Sequence, residues 1–297
     1  MHDINRPCMT HDELFSEKAK EIYENSSMKE QYEIQCNKNG ILTNENYFSF
    51  ENSMFYMSTS QIKAFRKCQA GAMAELKGEY VREKTSALLI GSYVDAHFEG
   101  TLSHFKAMNP NIFLKSGGLK AEYRNAEDII NRLERDKFFM EHMEGQKQVI
   151  LTGEIAGVLF KTKMDVYVPG KHIVDLKIMR DFKDIWVDGL KISFIEAWEY
   201  DLQGAVYQAV EKNKLPFLIA GATKEKEPDL EIFSIPQQRL DFQLDRVTQE
   251  VPLFDNIKQG LIEPERCGTC NYCRFTKKLN KVISYVEYGI SKEVDFE

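Results

Sequence analysis

The chain has 297 residues, 43% of them hydrophobic and 29% charged, and its 39 lysines and arginines against 46 aspartates and glutamates leave a formal net charge of −7. At about 100–200 residues per domain this is one large globular domain or two small ones, and the composition excludes a disordered, collagen-like or coiled-coil chain. No apolar run approaches the ~18 residues of a membrane span, and residues 1–6 lack the basic start and apolar core of a signal peptide, so a cytoplasmic protein is expected. The negative balance, taken alone, argues against nucleic acid, whose phosphates are met by clustered lysine and arginine.

Residues 1–57 are polar and mixed, with a helical stretch over 12–32, and are expected to form a helical extension on a main domain spanning 58–297. Ser58-Thr-Ser-Gln61 offers a helix N-cap, and Ile62, Phe65, Ala72, Met73 and Leu76 recur at helical spacing up to Gly78. Further helices are predicted over 86–105 and 121–143. From Gln148 the period changes to alternation, and three short apolar runs separated by tight turns, the last at 172–178, predict an antiparallel meander. A helix over 194–213, a strand over 230–235, a helix over 237–260 and a basic tail helix follow. This order suggests a sheet flanked by helices.

Asp175 and Lys177 lie two apart on a predicted strand, so both leave the same face, while Val174, Leu176 and Ile178 turn the other way into a core. Asp165 precedes them on the neighbouring strand, where antiparallel pairing brings its carboxylate beside that of Asp175. Two carboxylates and a lysine at one place can form a hard-cation site with a cation ready for a developing oxyanion. The same residues can also be an ordinary surface ion pair, worth little.

The stretch from Gly157 to Lys177, with Asp165 followed by Asp175-x-Lys177, resembles the core hairpin of the PD-(D/E)XK nucleases, in particular their RecB-like and phage recombination exonuclease (RecE-type) branch. Gln203 and Tyr207, in Tyr200-Asp-Leu-Gln-Gly-Ala-Val-Tyr207, are similar to the family's Q-x-x-x-Y motif, and at i and i+4 they share a helix face. The family also places a metal-binding histidine in a G-x-x-x-H helix. Here Gly91-Ser-Tyr-Val-Asp-Ala-His97 departs from that pattern. Asp95 fits the spacing and His97 fits the residue type, and on a helix only one of them can face the metal; the spacing favours Asp95.

Six cysteines are too few for a disulfide scaffold, yet Cys267, Cys270 and Cys273 form a C-x₂-C-x₂-C run that needs a fourth ligand. The segment Ser60 to Cys68 resembles the one carrying the lone N-terminal cysteine of iron-sulfur RecB-like nucleases. The resemblance therefore implies that Cys68, Cys267, Cys270 and Cys273 hold a [4Fe-4S] cluster, with zinc as the alternative; the spacer before Cys273 is shorter than the family's. Arg266, Arg274, Lys277, Lys278 and Lys281, interleaved with Tyr272 and Phe275, suit phosphate contact and base stacking, and Lys63, Arg66 and Lys67 are a weaker group of the same kind.

The resemblance implies a restriction-endonuclease-like α/β core, a central mixed β-sheet flanked by helices. It also implies Mg²⁺- or Mn²⁺-dependent hydrolysis of linear double-stranded DNA ends by an exonuclease. Asp165 and Asp175, with Asp95 or His97, would bind the metal, Lys177 would act on the attacking water or the phosphate, and Gln203 and Tyr207 would position them. A single-strand annealing protein as partner and a ring-shaped homo-oligomer are further expectations of this branch. The rivals are a structure-specific endonuclease and a catalytically silent DNA-binding protein on the same fold.

Overall fold

A computed structural model describes residues 42–82, 85–187 and 189–286. The helix expected over 12–32 lies outside these residues. The chain opens with α1 (Phe50–Phe55), α2 (Thr59–Lys67), α3 (Gln69–Leu76), α4 (Ser86–Phe98), α5 (Leu102–Met108), α6 (Asn125–Glu134) and α7 (Lys137–His142). Three strands follow, β1 (Gln146–Ile155), β2 (Val158–Val168) and β3 (His172–Met179), then a small hairpin of β4 (Ile185–Val187) and β5 (Leu190–Ile192). The rest comprises α8 (Phe194–Ala197), α9 (Tyr200–Glu211), β6 (Phe217–Thr223), β7 (Leu230–Ser234), α10 (Gln237–Lys258) and α11 (Asn271–Phe275).

The main sheet has the order β1-β2-β3-β6-β7. The meander β1 to β3 is antiparallel as expected, β6 joins β3 in parallel, and β7 returns antiparallel at the edge. Strand β6, second from that edge, has no alternation to betray it. It is an apolar run covered on both faces, and such a run carries no period-2 signal.

Helices pack on both faces. Val174 and Leu176 of β3 face a core built with Ile90 and Val94 of α4 and Ile129 and Leu133 of α6. Ile173, one residue out of phase, packs with Ala205 and Tyr207 of α9 and with Phe217 and Ile219 of β6. The alternation on β3 therefore divides the chain into two layers, with α9 below and α4 above.

Several predicted helices are shorter than their periodicity suggests, and each break has a local cause. The Ser58 cap forms a full capping box with Gln61, but the helix it starts ends at Cys68, whose extended backbone (φ −170°, ψ 109°) starts α3 with its own side chain as the cap. The helix expected over 86–105 stops at Phe98, two residues before Gly100 takes a left-handed φ of 75°. Asp136 caps a new helix within the third region, accepting from the Phe139 amide at 3.0 Å. The tail is a correction: beyond the five-residue α11, residues 277–284 form no helix. Part of the expected extension is integral to the core, with Tyr47, Asn52, Tyr56 and Met57 all buried and Met57 bridging to Phe160 of β2.

Candidate active site

Helix α9 lies unusually close to the sheet, and glycines permit it. A Cβ on Gly204 would stand 2.4 Å from the Phe217 ring of β6, and one on Gly153 of β1 would stand 3.2 Å from the Val210 backbone. This approach places Gln203 and Tyr207, one helical turn apart, over the end of β3. Gln203 Nε2 donates to Asp175 Oδ1 at 2.6 Å and to the Tyr207 hydroxyl at 3.0 Å, and that hydroxyl donates to the Lys163 carbonyl of β2 at 2.8 Å. Lys177 Nζ closes an ion pair on the other carboxylate oxygen of Asp175. The Gln and Tyr thus tie helix, β2 and β3 together through the aspartate.

Strands β2 and β3 part where the site begins. Their last paired residues are Val166 and Val174, so Asp165 and Asp175 sit one step beyond the ladder. Asp165 replaces the missing backbone partner with its side chain: Oδ2 accepts from the Leu176 amide at 3.0 Å, and Oδ1 accepts from Gln148 Nε2 at 3.3 Å. Leu176 is the residue between Asp175 and Lys177. All three residues of the Asp-Leu-Lys element are therefore engaged, two by side chain and one by backbone.

From the opposite layer, α4 supplies Asp95, which lines a narrow cleft with Asp165, Gln148 and Glu99. His97 takes no part in it, because its Nε2 lies 2.8 Å from Glu134 of α6. The helix geometry that allows only one of the two to reach the carboxylates has turned Asp95 inward. Glu99 was not legible as a site residue, although it stands four residues after Asp95 on the same face.

The electrostatics follow from packing acids together away from water. Burial pushes the Asp95 carboxyl well above the usual range, and the Asp165 carboxylate adds to this while Lys177 opposes it. Burial likewise lifts Asp175 to about 6, against the pull of Lys177. Burial alone would lower Lys177, but Asp175, Asp165 and Asp95 outweigh it and hold the ammonium above its ordinary range. Asp95 Oδ1 is buried with no hydrogen-bond partner among the described residues. An all-oxygen donor set with one unsatisfied buried carboxylate oxygen fits a hard divalent cation, which would neutralise the crowded acids.

On the flank of this site, Lys63 of α2 donates to the Trp198 carbonyl at 2.7 Å and stands 5.4 Å from the centre of the Tyr200 ring. Burial and the nearby Lys177 charge hold its pKa down to about 8. Arg66, grouped with it on sequence grounds for phosphate contact, is spent on Glu199 and Glu250.

The four predicted cysteines do converge. Cys68 Sγ lies 3.5 Å from Cys273 Sγ, Cys267 Sγ lies 3.9 Å from it, and all four sulfurs fall within 4.8 Å of one another. Backbone amides donate to three of them, Gly71 to Cys68 at 3.3 Å, Cys270 to Cys267 at 3.4 Å and Cys273 to Cys270 at 3.4 Å. Burial would raise the Cys267 thiol, but the donors from Cys270 and Thr269 prevail and bring it to about 6, whereas burial pushes Cys273 up to about 12. Four free sulfurs, three of them supported by backbone amides, fit a thiophilic metal. Arg266, expected to face phosphate, instead clamps this loop, donating to the Cys273 carbonyl at 3.1 Å and to Thr276 Oγ1 at 2.6 Å. Arg274, Lys277, Lys278 and Lys281 are exposed, as is Phe275.

A five-stranded mixed sheet flanked by helices, with a split hairpin carrying Asp165, Asp175 and Lys177, defines the restriction-endonuclease-like α/β fold. The chain belongs to the family described as a PDDEXK-like domain of unknown function (DUF3799), whose model matches residues 58–276. The crystal structure of a protein from Eubacterium rectale, named "putative exonuclease", is 46% identical and superposes with a TM-score of 0.80 over 84% of this chain and 98% of its own. A second solved structure, that of SSO0001, is 11% identical with a TM-score of 0.27, covering 64% of this chain and 85% of its own. No curated protein sequence matches the chain. No described helix is long and apolar enough to cross a membrane.

Proposed function

We propose that the protein is a divalent-metal-dependent deoxyribonuclease acting on DNA ends. The observation that carries this reading is the Asp165–Asp175–Lys177 constellation at the parting of β2 and β3, with the unpartnered buried oxygen of Asp95 facing it from α4. The exonuclease name of the Eubacterium rectale protein and the family match support it.

Asp95, Asp165 and Asp175 would hold Mg²⁺ or Mn²⁺, which supplies Lewis acidity towards a phosphate oxygen and acidifies bound water. Lys177, kept protonated by the surrounding acids, places a fixed positive charge where the phosphorane develops negative charge. Gln203 holds Asp175 in one orientation, and Tyr207 anchors that arrangement to the backbone of β2. Such supporting hydrogen bonds keep a ligand set from relaxing between turnovers.

The thiol cluster would hold a structural metal. A single tetrahedral ion with metal–sulfur bonds of about 2.3 Å sets sulfurs about 3.8 Å apart. Two of the sulfur pairs are 3.5 and 3.9 Å apart and all four sulfurs fall within 4.8 Å, a spread that suits one ion better than a four-iron cluster. The spacing therefore favours zinc over the iron-sulfur cluster that the RecB-like resemblance implies. A phage recombination role, an annealing partner and a ring oligomer remain expectations from that resemblance alone.

The test is digestion of a linear duplex labelled at one end, with Mg²⁺ present and then chelated, by the wild type and by Asp165→Ala. Release of labelled mononucleotides only by wild type with metal is expected. Equal release by Asp165→Ala, or none by wild type in Mg²⁺ or Mn²⁺, would overturn the reading, and cutting of covalently closed circles would replace exonuclease by endonuclease.

A further inference from the structure

Strand β2 extends the site in a direction the ligands above do not use. Residues two apart on a strand share a face, so Lys161 and Lys163 stand in line with Asp165 at roughly 7 Å intervals. Lys161 is itself buried and donates to the Tyr47 carbonyl and to Ser53 Oγ at 3.3 Å, which leaves Lys163 as the lysine of this row open to a phosphate.

Lys163 is half-buried, and among the described residues it makes no side-chain hydrogen bond or ion pair. Its Nζ stands 5.5 Å from the centre of the Phe48 ring and 6.0 Å from that of Tyr47. It acts electrostatically on Glu99, on the cleft side, where the lysine opposes the rise that burial causes.

Phe48 is 73% exposed and sits at the end of a hydrogen-bonded turn. Its neighbour Tyr47 is buried, meets Phe48 edge to face at 4.9 Å, and packs under the ammonium of Lys161 at 4.7 Å. Asn46 caps the turn by accepting from the Thr43 amide at 2.8 Å, and its carbonyl accepts from Asn52 Nδ2 at 3.0 Å. Behind this corner lies an open cavity of about 230 Å³ lined by Tyr47, Phe48, Lys161 and the hydroxyl side chains of Ser58 and Ser60. Its one acid, Glu75, is engaged by Arg82. A cation without a carboxylate partner, an exposed ring and hydroxyls beside a cavity are a donor set for a nucleotide.

We propose that the Lys163–Phe48 corner is the subsite for the nucleotide next to the scissile phosphodiester, with Lys163 taking its phosphate and Phe48 stacking its base. The inference rests on the nuclease reading of the carboxylate site and adds to it a statement about substrate form. A base stacked on Phe48 is out of the duplex, so the strand being cut is unpaired at this position. Ser60, whose Oγ lies 3.1 Å from the Oγ of the capping Ser58, offers a hydroxyl to the sugar or base edge within the cavity.

The experiment compares wild type, Phe48→Ala, Phe48→Trp and Lys163→Gln in two measurements. Fluorescence anisotropy of a dye-labelled single-stranded thymidine 12-mer in Ca²⁺ reads binding without turnover, and cleavage of the same oligonucleotide in Mg²⁺ reads KM and kcat. Phe48→Ala should weaken binding and raise KM about fivefold or more with kcat little changed, and Phe48→Trp should restore both. Replacing the base beside the mapped cleavage position by an abasic site should cost wild type that same factor and Phe48→Ala nothing. Lys163→Gln should weaken binding and flatten its salt dependence. Unchanged binding in Phe48→Ala, or an abasic penalty equal in both proteins, would overturn the subsite. Failure of wild type to cleave any DNA would overturn the nuclease reading instead, while the Ca²⁺ binding arm would still decide the subsite.

Discussion

The carboxylate cleft and the thiol cluster are both suited to metal, but they are built in opposite ways. In the cleft the acids are held apart by protein donors: Asp165 by the Leu176 amide and Gln148, Asp175 by Gln203 and Lys177. Asp95 Oδ1 is buried and has, among the described residues, neither a hydrogen bond nor an ion pair such as the one with Lys177 that occupies Asp175 Oδ2. In the cluster four sulfurs turn towards one another within 4.8 Å, and their amide donors approach from outside. An oxygen site that leaves positions for water and substrate is what catalysis needs, and a closed tetrahedron of sulfur is what a structural metal needs. Helix α2 joins the two, with Lys63 beside the first and Cys68 following its last turn into the second.

The largest effect that would test this contrast is at Asp175. Asp175→Asn should lower kcat on linear DNA by on the order of 10³-fold while the protein stays folded by circular dichroism. Retention of most of the activity would move the chemistry elsewhere. Cys273→Ser should act the other way round, abolishing bound zinc by mass spectrometry and lowering Tm by on the order of 10 °C, with activity retained well below the new Tm. A visible iron-sulfur absorption in anaerobically purified wild type would refute the single-ion reading.

Gln203→Ala should cost about 10- to 100-fold in activity, because it frees Asp175 without removing it. The penalty should shrink as Mg²⁺ is raised; a penalty independent of metal would argue that Gln203 meets the substrate instead. The smallest effect concerns Lys258, buried beneath α2, where it donates to the Tyr56 carbonyl at 2.8 Å and Gln61 Oε1 at 3.2 Å. Burial brings its pKa from 10.5 down to about 7. Between these values the unfolded chain binds the proton and the native one does not, so this group makes stability rise with pH by at most about 1.4 kcal/mol per unit, and that contribution is lost as pH falls towards 7. Denaturant titrations from pH 7 to 10 should show the slope in wild type and its reduction in Lys258→Met. An identical slope in both would place the proton elsewhere.

Much of the carboxylate site was legible because its residues are close in sequence. Asp165, Asp175 and Lys177 lie on one hairpin and Gln203 and Tyr207 on one helix turn, so strand and helix periodicity suffice to group them. Spacing favoured Asp95 over His97, but spacing alone left both open, since the outcome depends on how α4 is rotated against the sheet, and packing of Ile90 and Val94 decides that rotation. Glu99, Gln148 and the Lys163–Phe48 corner were missed for the same reason: each acquires its role from a neighbour far away in the chain.

The spacing of the cysteines announced a shared ligand set, but only the break of the helix at Cys68 brings the fourth sulfur to the other three. Strand β6 shows the limit from the other side. A strand buried on both faces has no polar residues to mark its period, and its parallel partnership with β3 spans the whole of α9. The sequence by itself determined the local chemistry, which residue types stand at strand and helix spacing and what kind of ion they prefer. The tertiary structure alone decided which of those groups share one dielectric, because burial and the mutual approach of α4, α9 and the parting strands turn isolated acids and lysines into a coupled site.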